Sequence, residues 1–256
     1  MSRSVVGVLR GGTSPEYDIS LKTGTAMLRA LPEDKFDVRD IFIDKQGVWH
    51  SRGMPVEPAR ALSNIDVALN ALHGGIGEDG TVTRILERAG VPYTGSRPLS
   101  LALALNKARA RAIFTDNNIQ IPRGYGFNHG QYRDTGEIAR FIFSKFAPPY
   151  IVKPATLGAS EGIRMAFTII ELPDVVGDVL DEYGSAIVEE YVTGEEASVG
   201  VVEGFRGEAL YVLPPAHVLY PEESPFLHFH HHTSGELRHL IPASFSDVEK
   251  AALMDA

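Results

Sequence analysis

Residues 70–96, "NALHGGIGEDGTVTRILERAGVPYTGS", decide how the first third of the chain folds. The run that leads into them, "DVALNAL" (66–72), is apolar and of strand length. "HGGIGEDG" (73–80) then turns the chain with glycines at 74, 75, 77 and 80. Val82, Ile85, Leu86 and Ala89 follow at i, i+3, i+4 and i+7, the spacing of one helix face. "VPYTGS" is a short extended piece. Strand, glycine turn and helix together make one α/β unit.

Working outward, "SVVGVLR" (4–10) is a second such opening, ending in "GGTS". Behind it, Ile19, Thr23, Ala26, Met27 and Ala30 lie near helical spacing, and "DVRDIFI" (37–43) reads as a strand. A βαβα rhythm over the first 95 residues predicts a small parallel-sheet domain. Downstream, Ser96 suits an N-cap, with Pro98 in the first turn, for one long helix to about Thr115. The texture changes near "IQIPRGYGF" (119–127). "PYIVKP" (149–154) is a strand, "LGASEGIRMAF" (157–167) a glycine-rich turn inside a hairpin, and a helix is expected over about 171–183. Residues 185–215 read as consecutive antiparallel strands, with turns at Thr193-Gly194 and from Gly204 to Gly207. The fold class expected is therefore α/β followed by α+β. In "SFSDVEKAALMDA" (244–256), Ser246 and Glu249 have capping-box spacing, and Val248, Ala251 and Ala252 begin an apolar face. About ten residues make a marginal helix, so the sequence is expected to end before its fold does.

The totals narrow the function. The 256 residues carry a net charge of −9, which disfavours a general binder of nucleic acid or of anionic membranes. There is no cysteine, which removes disulfides, thiol nucleophiles and Cys-based zinc sites. No apolar run reaches the roughly 18 residues of a membrane span, and the N-terminus lacks a signal-peptide pattern; a cytoplasmic protein is expected.

Three glycine-rich stretches, "RGGTSPE" (10–16), "HGGIGEDG" and "LGASEG" (157–162), offer backbone N–H groups to phosphate or carboxylate. None is a P-loop or a clean G-x-G-x-x-G. Lys107 sits in the apolar "LALALNKARA" and Lys153 ends the apolar "YIVKPA"; each must reach a partner or snorkel, and phosphate binding and a solvated strand end both remain open. Of Glu189-Glu190 and Glu195-Glu196, strand alternation sends one of each pair inward, toward a ribose or simply into a solvated turn. His228, His230, His231 and His232 crowd five residues. If strand-like, His228 and His230 share a face suited to zinc or nickel, although no acidic or Cys partner stands nearby at ligand spacing. A solvated loop titrating near pH 6.5 is the alternative.

Together, "GGTSPEYDISLKTG", the 70–96 stretch, "LALALNKARAR", "YIVKPATLGASEGI" and "IVEEYVTGEEASVGV" come in the order and spacing of the D-alanine–D-alanine ligases, which are ATP-grasp enzymes. The chain resembles that family from residue 4 to residue 256. The resemblance implies an N-terminal α/β substrate-binding (preATP-grasp) domain over 1–96, a central ATP-grasp subdomain over 97–184, and an incomplete C-terminal subdomain over 185–256. It implies ATP-dependent joining of two D-alanines through an acyl phosphate, for peptidoglycan precursors, by a homodimer. It also implies that Lys107 and Lys153 meet ATP phosphates and that Glu189 and Glu196 sit at the nucleotide, Glu196 near the ribose. Glu190, Tyr191 and Val192 would meet adenine, partly through backbone. Glu16 would receive the ammonium of the first D-alanine, with His73 near that substrate, and the 157–162 loop, with Ser160, would close over the transferred phosphate.

The chain departs from the family pattern. Two serines usually follow the loop's first glycine; here they are Ala159 and Ser160. Counting back from Pro242-Ala243, His231 and His232 stand where the family carries the Lys-Tyr pair of its lid. The family's Mg²⁺ (or Mn²⁺) ligands belong to Arg-x-Asp and Glu-x-Asn segments beyond residue 256, so no residue here is assigned to metal. A truncated, inactive homologue that binds nucleotide or amino acid, and a ligase with an altered second substrate, are the alternative readings.

Overall fold

In a computed structural model of the chain, residues 3–221, 224 and 226–256 are described. Two compact units form: one runs through Ala110 and includes Thr156–Gly158; the other holds Arg111–Ala155 and Ala159–Ala256.

In the first unit, β1 (Ser4–Gly11) leads into α1 (Tyr17–Ala30) and then β2 (Phe36–Ile43), the expected β–α–β. β3 (Trp49–Ser51), β4 (Met54–Pro55), α2 (Pro58–Ala61), β5 (Val67–Asn70) and α3 (Thr81–Ala89) follow. The sheet order is β4-β3-β2-β1-β5. β1 is parallel to β2 on one side and to β5 on the other, with Val6 opposite both Val38 and Val67. Leu9, Ile41, Ile43, Trp49, Leu62, Leu72, Val82 and Leu86 form its core. The extended piece after α3 forms one parallel bridge, Tyr93 to Ala68. The sheet is not purely parallel. β3 and β4 add an antiparallel edge that was not anticipated; strands of three and two residues are too short to show alternation.

The long helix expected from Ser96 to Thr115 is two helices, α4 (Pro98–Leu105) and α5 (Lys107–Asp116). Arg97, not Ser96, is the N-cap residue, and it makes no side-chain cap. Asn106 breaks the run with ψ near 100°, and its side-chain oxygen accepts from Arg109 N at 3.1 Å. An asparagine that caps a new helix competes with continuation of the old one.

The second unit carries β6 (Gly124–Asn128), α6 (Thr135–Phe143), β7 (Tyr150–Pro154), β8 (Arg164–Ala166), α7 (Leu172–Tyr183) and β9 (Ser185–Glu190). These form an antiparallel sheet of order β6-β9-β7-β8 over a core that includes Phe127, Ile142, Tyr150, Val152, Leu172 and Val176. The expected hairpin around "LGASEG" is the β7–β8 pair. Next come β10 (Glu196–Ser198), β11 (Val201–Glu203), β12 (Leu210–Val212), β13 (Ala216–Leu219), α8 (Phe229–Ser234), β14 (Arg238–Leu240) and α9 (Asp247–Asp255). The turn between Glu203 and Leu210 closes the β11–β12 hairpin as expected. Thr193-Gly194 does not close a hairpin: β9 pairs with β6 and β7, whereas β10 pairs with β13. Among the described residues no helix is long and apolar enough to cross a membrane.

Candidate nucleotide and substrate site

In the first unit, Glu16 occupies the N-cap position of α1. A carboxylate there is favoured by the positive end of the helix dipole. Ser14 ties this turn to the next one: its Oγ donates to His73 O at 2.5 Å and accepts from Glu16 N at 3.2 Å. Gly74 has φ +62°, and a Cβ added to it would stand 2.5 Å from Glu16 Oε2, so only glycine lets the 73–80 loop approach that carboxylate. Thr23 Oγ1 lies 2.9 Å from His73 Nε2 and fixes the ring. Ser20, fully buried, accepts from Gly11 N and donates to Ala71 O, both at 2.8 Å, so it staples the ends of β1 and β5. Lys107, the first residue of α5, donates from Nζ to Leu157 O. Glu16, His73 and the two glycine-rich turns are thus one cluster.

In the second unit, Lys153, Ser160, Glu189, Glu190, Tyr191, Val192 and Glu196 all line one cavity of about 430 Å³. Period-two alternation along β7 and β9 aims Lys153 and Glu189 to the same side, and their side chains pair. Glu189 is the inward member of its pair, only 6% exposed, and its other oxygen takes Arg111 Nη1 at 2.6 Å. Glu190 points out to Arg123, accepting from Arg123 N and Nε, each at 2.7 Å. Those bonds hold the Glu190 carboxyl below its ordinary range. The backbone N–H groups of Glu190 and Tyr191 donate to Arg123 O and Pro149 O, which fixes the strand end. Glu196 accepts from Tyr220 OH at 3.1 Å. Burial, then the Glu196 charge and that bond, push the Tyr220 phenol up to about 12. Ala159 and Ser160 have φ of 47° and 60°, a left-handed pair rarely adopted by residues with a Cβ. Arg111, Arg123 and Tyr220 were missed in the sequence. Arg111 hid in "KARARA" as one basic residue of three, and its partner is 78 positions away.

The histidines do not lie on a strand. His228 is the N-cap of α8, and His230 and His231 fall in its first turns. His231, 1% exposed, accepts from His228 N at Nδ1 (3.1 Å), while Nε2 meets Ser224 Oγ at 3.2 Å. Contrary to the expectation from spacing, an acidic partner stands nearby: His230, His231 and Glu236 have ligand atoms within 4.8 Å of one another. With both ring nitrogens of His231 engaged, metal binding there requires breaking one of those bonds. The His232 side chain lies outside the described residues.

Comparison with known proteins matches residues 5–59 and 50–96 to the D-ala D-ala ligase N-terminus family and residues 113–256 to the D-ala D-ala ligase C-terminus family. A D-alanine--D-alanine ligase of Anaeromyxobacter dehalogenans (strain 2CP-C) is 32% identical over 98% of this chain and 75% of its own length. One from Natranaerobius thermophilus is 28% identical over 100% of this chain and 77% of its own. In fold, the chain is similar to D-alanyl-alanine synthetase A of Vibrio cholerae, with a TM-score of 0.82 at 21% identity, covering 100% of this chain and 79% of that one. It is also similar to a Bacillus anthracis D-alanine--D-alanine ligase solved with ATP, with a TM-score of 0.75 at 24% identity, covering 99% and 75%.

Proposed function

The chain belongs to the D-alanine–D-alanine ligase family, and on that premise we propose that it is an ATP-dependent ligase that joins two D-alanines for peptidoglycan precursor synthesis. One observation carries the reading: Lys153, Ser160, Glu189 and Glu196 converge on a single cavity beside the fixed end of β9. Lys153 supplies charge to a phosphate, and Glu196 accepts hydrogen bonds from ribose hydroxyls. Val192, 63% exposed at the cavity, offers an apolar surface to the base. Ser160 and the loop amides around it cover the transferred phosphoryl group. Lys107 acts as a second phosphate-binding cation. Glu16, held at a helix N-terminus against Gly74, accepts the ammonium of the first D-alanine, with His73 beside it.

In this reading the D-alanine carboxylate is phosphorylated by ATP, and the amine of the second D-alanine displaces phosphate. The protein works by positioning and by charge. Magnesium supplies neutralisation of phosphate charge when bound. The one group of three metal-ligating side chains among the described residues, His230, His231 and Glu236, is nitrogen-rich and unlike the oxygen shell magnesium takes. The division at 1–96, 97–184 and 185–256, the homodimer and the cytoplasmic location belong to the same reading.

The test is D-alanine-dependent release of phosphate from ATP, with the dipeptide identified by mass spectrometry. The reading predicts both products in equal amounts. ATP binding without either product supports the inactive-homologue alternative instead. A second reading, a changed second substrate, is favoured by Ala159, which lacks the hydroxyl of the family's first loop serine; D-serine or D-lactate outcompeting D-alanine in the same assay would establish it.

A further inference from the structure

Resting on that nucleotide reading, we propose that Arg111 is a positioning residue of the site: by holding one oxygen of Glu189, it keeps the charge of Lys153 available to a triphosphate. Arg111 does not itself line the cavity, whereas Glu189 and Lys153 do. Whatever Arg111 does for a ligand, it does through Glu189.

The geometry is specific. Glu189 is clasped by two cations, Arg111 Nη1 at Oε1 and Lys153 Nζ at Oε2. The three side chains are 17%, 20% and 8% exposed for Arg111, Lys153 and Glu189, so solvent screens them little. The guanidinium is also anchored on backbone, Nη2 donating to Pro122 O at 2.7 Å. A fork pinned between a carbonyl and a carboxylate sets where the carboxylate stands. Gly124 belongs to the same device. A Cβ there would come within 2.7 Å of Glu189 Cγ, 2.9 Å of the Val188 carbonyl oxygen and 3.2 Å of Arg111 Nη2.

Charge decides the consequence. Two cations and one carboxylate leave the cluster one positive charge in excess. Lys153 is the cation that faces the cavity, so the excess is directed there. Without Arg111, Lys153 and Glu189 form a neutral pair, and the field reaching a phosphate falls. The adenine–ribose part of a ligand carries no charge and is indifferent to this change. Loss of Arg111 therefore separates ATP affinity from adenosine affinity.

The experiment is calorimetric titration of the full chain with ATP and with adenosine, for the wild type, R111Q, R111K, K153Q and R111Q/K153Q. R111Q is expected to weaken ATP about tenfold and adenosine less than about twofold. R111K, which keeps the charge but not the fork, is expected to lose less ATP affinity than R111Q. In the K153Q background, R111Q removes only the bare charge of Arg111 and no longer acts on Lys153, so its further loss is expected to be smaller than the loss it causes in the wild type. Equal losses of ATP and adenosine, or full additivity in the double variant, overturn the proposal. Should R111Q fail to fold, R111M, which removes the same charge and keeps an apolar chain of similar reach, must show the same ATP-selective loss, and an unchanged ATP-to-adenosine ratio in it overturns the proposal equally. A wild-type chain with no affinity for ATP sinks the nucleotide reading itself; a wild type that binds ATP while the variants show no split sinks only the role of Arg111.

Discussion

Glu189 and Tyr220 show how much of the site is decided one residue at a time. The sequence marks Glu189 only as the inward member of an acidic pair; what makes it distinctive is burial between two cations. Removing its charge leaves Arg111 and Lys153 facing each other with no anion between them. Glu189→Ala is therefore expected to cost about 2–4 kcal/mol, more than a surface substitution would; urea unfolding measures it, and a loss below 1 kcal/mol would contradict the buried-pair account. Tyr220 makes a titration prediction. Its pKa of about 12 in the folded chain lies above the ordinary 10.0. A phenol shifted that way contributes stability that is complete below pH 10 and is lost as pH rises toward 12, because the unfolded chain ionises first. Phenolate absorbance, as the difference between wild type and Tyr220→Phe, should give a midpoint near 12. Glu196→Gln should lower that midpoint yet leave it above 10.0, since burial is the larger cause; a midpoint at 10.0 in the wild type would remove the buried-phenol account.

At the scale of elements, the sequence was most legible where periodicity and glycine turns agree. β1, α1, β2, β5 and α3 stand where the 4–10, 19–30, 37–43 and 66–89 patterns put them. The failures have separate causes. Asn106 divides a helix whose apolar residues continue without a break, a competition that hydrophobic patterning does not register. β9 and β10 are adjacent in sequence but belong to different sheets, a choice made by partners far along the chain. The glycine turns carry a prediction of their own. Gly74→Ala forces a Cβ to 2.5 Å from Glu16 Oε2 at a φ of +62°. It should cost about 1–2 kcal/mol in stability, and it should raise KM for D-alanine more than KM for ATP. Equal changes in the two KM values would separate Glu16 from the amino-acid site. At the other end, α9 has its capping box, Ser246 and Glu249, but no buried residue, and Val248 is 80% exposed. Ser246→Ala should remove about 1 kcal/mol of local helix stability. Faster amide exchange over 248–255 with an unchanged urea midpoint is expected; a shifted midpoint would mean that α9 is coupled to the core.

Over the whole molecule, motif order reached further than physics read from composition. Length, acidic charge and absence of cysteine excluded classes of function but selected none. The family was legible because its motifs recur in order along the entire chain, and both halves match the family's two parts. The supporting contacts were not legible, because Arg111–Glu189 and Arg123–Glu190 join residues 78 and 67 positions apart. The histidine-rich segment shows the same limit: its spacing suggested a strand face, whereas the bond from His228 N to His231 Nδ1 and burial of His231 make it a helical turn. If the second unit's cavity is the nucleotide site, hydrogen–deuterium exchange with and without ATP tests it most directly. ATP should slow exchange over residues 151–163 and 189–196. ATP that binds while protecting only other segments, such as the cleft beside Arg10, Asp40 and Arg52 in the first unit, would contradict it.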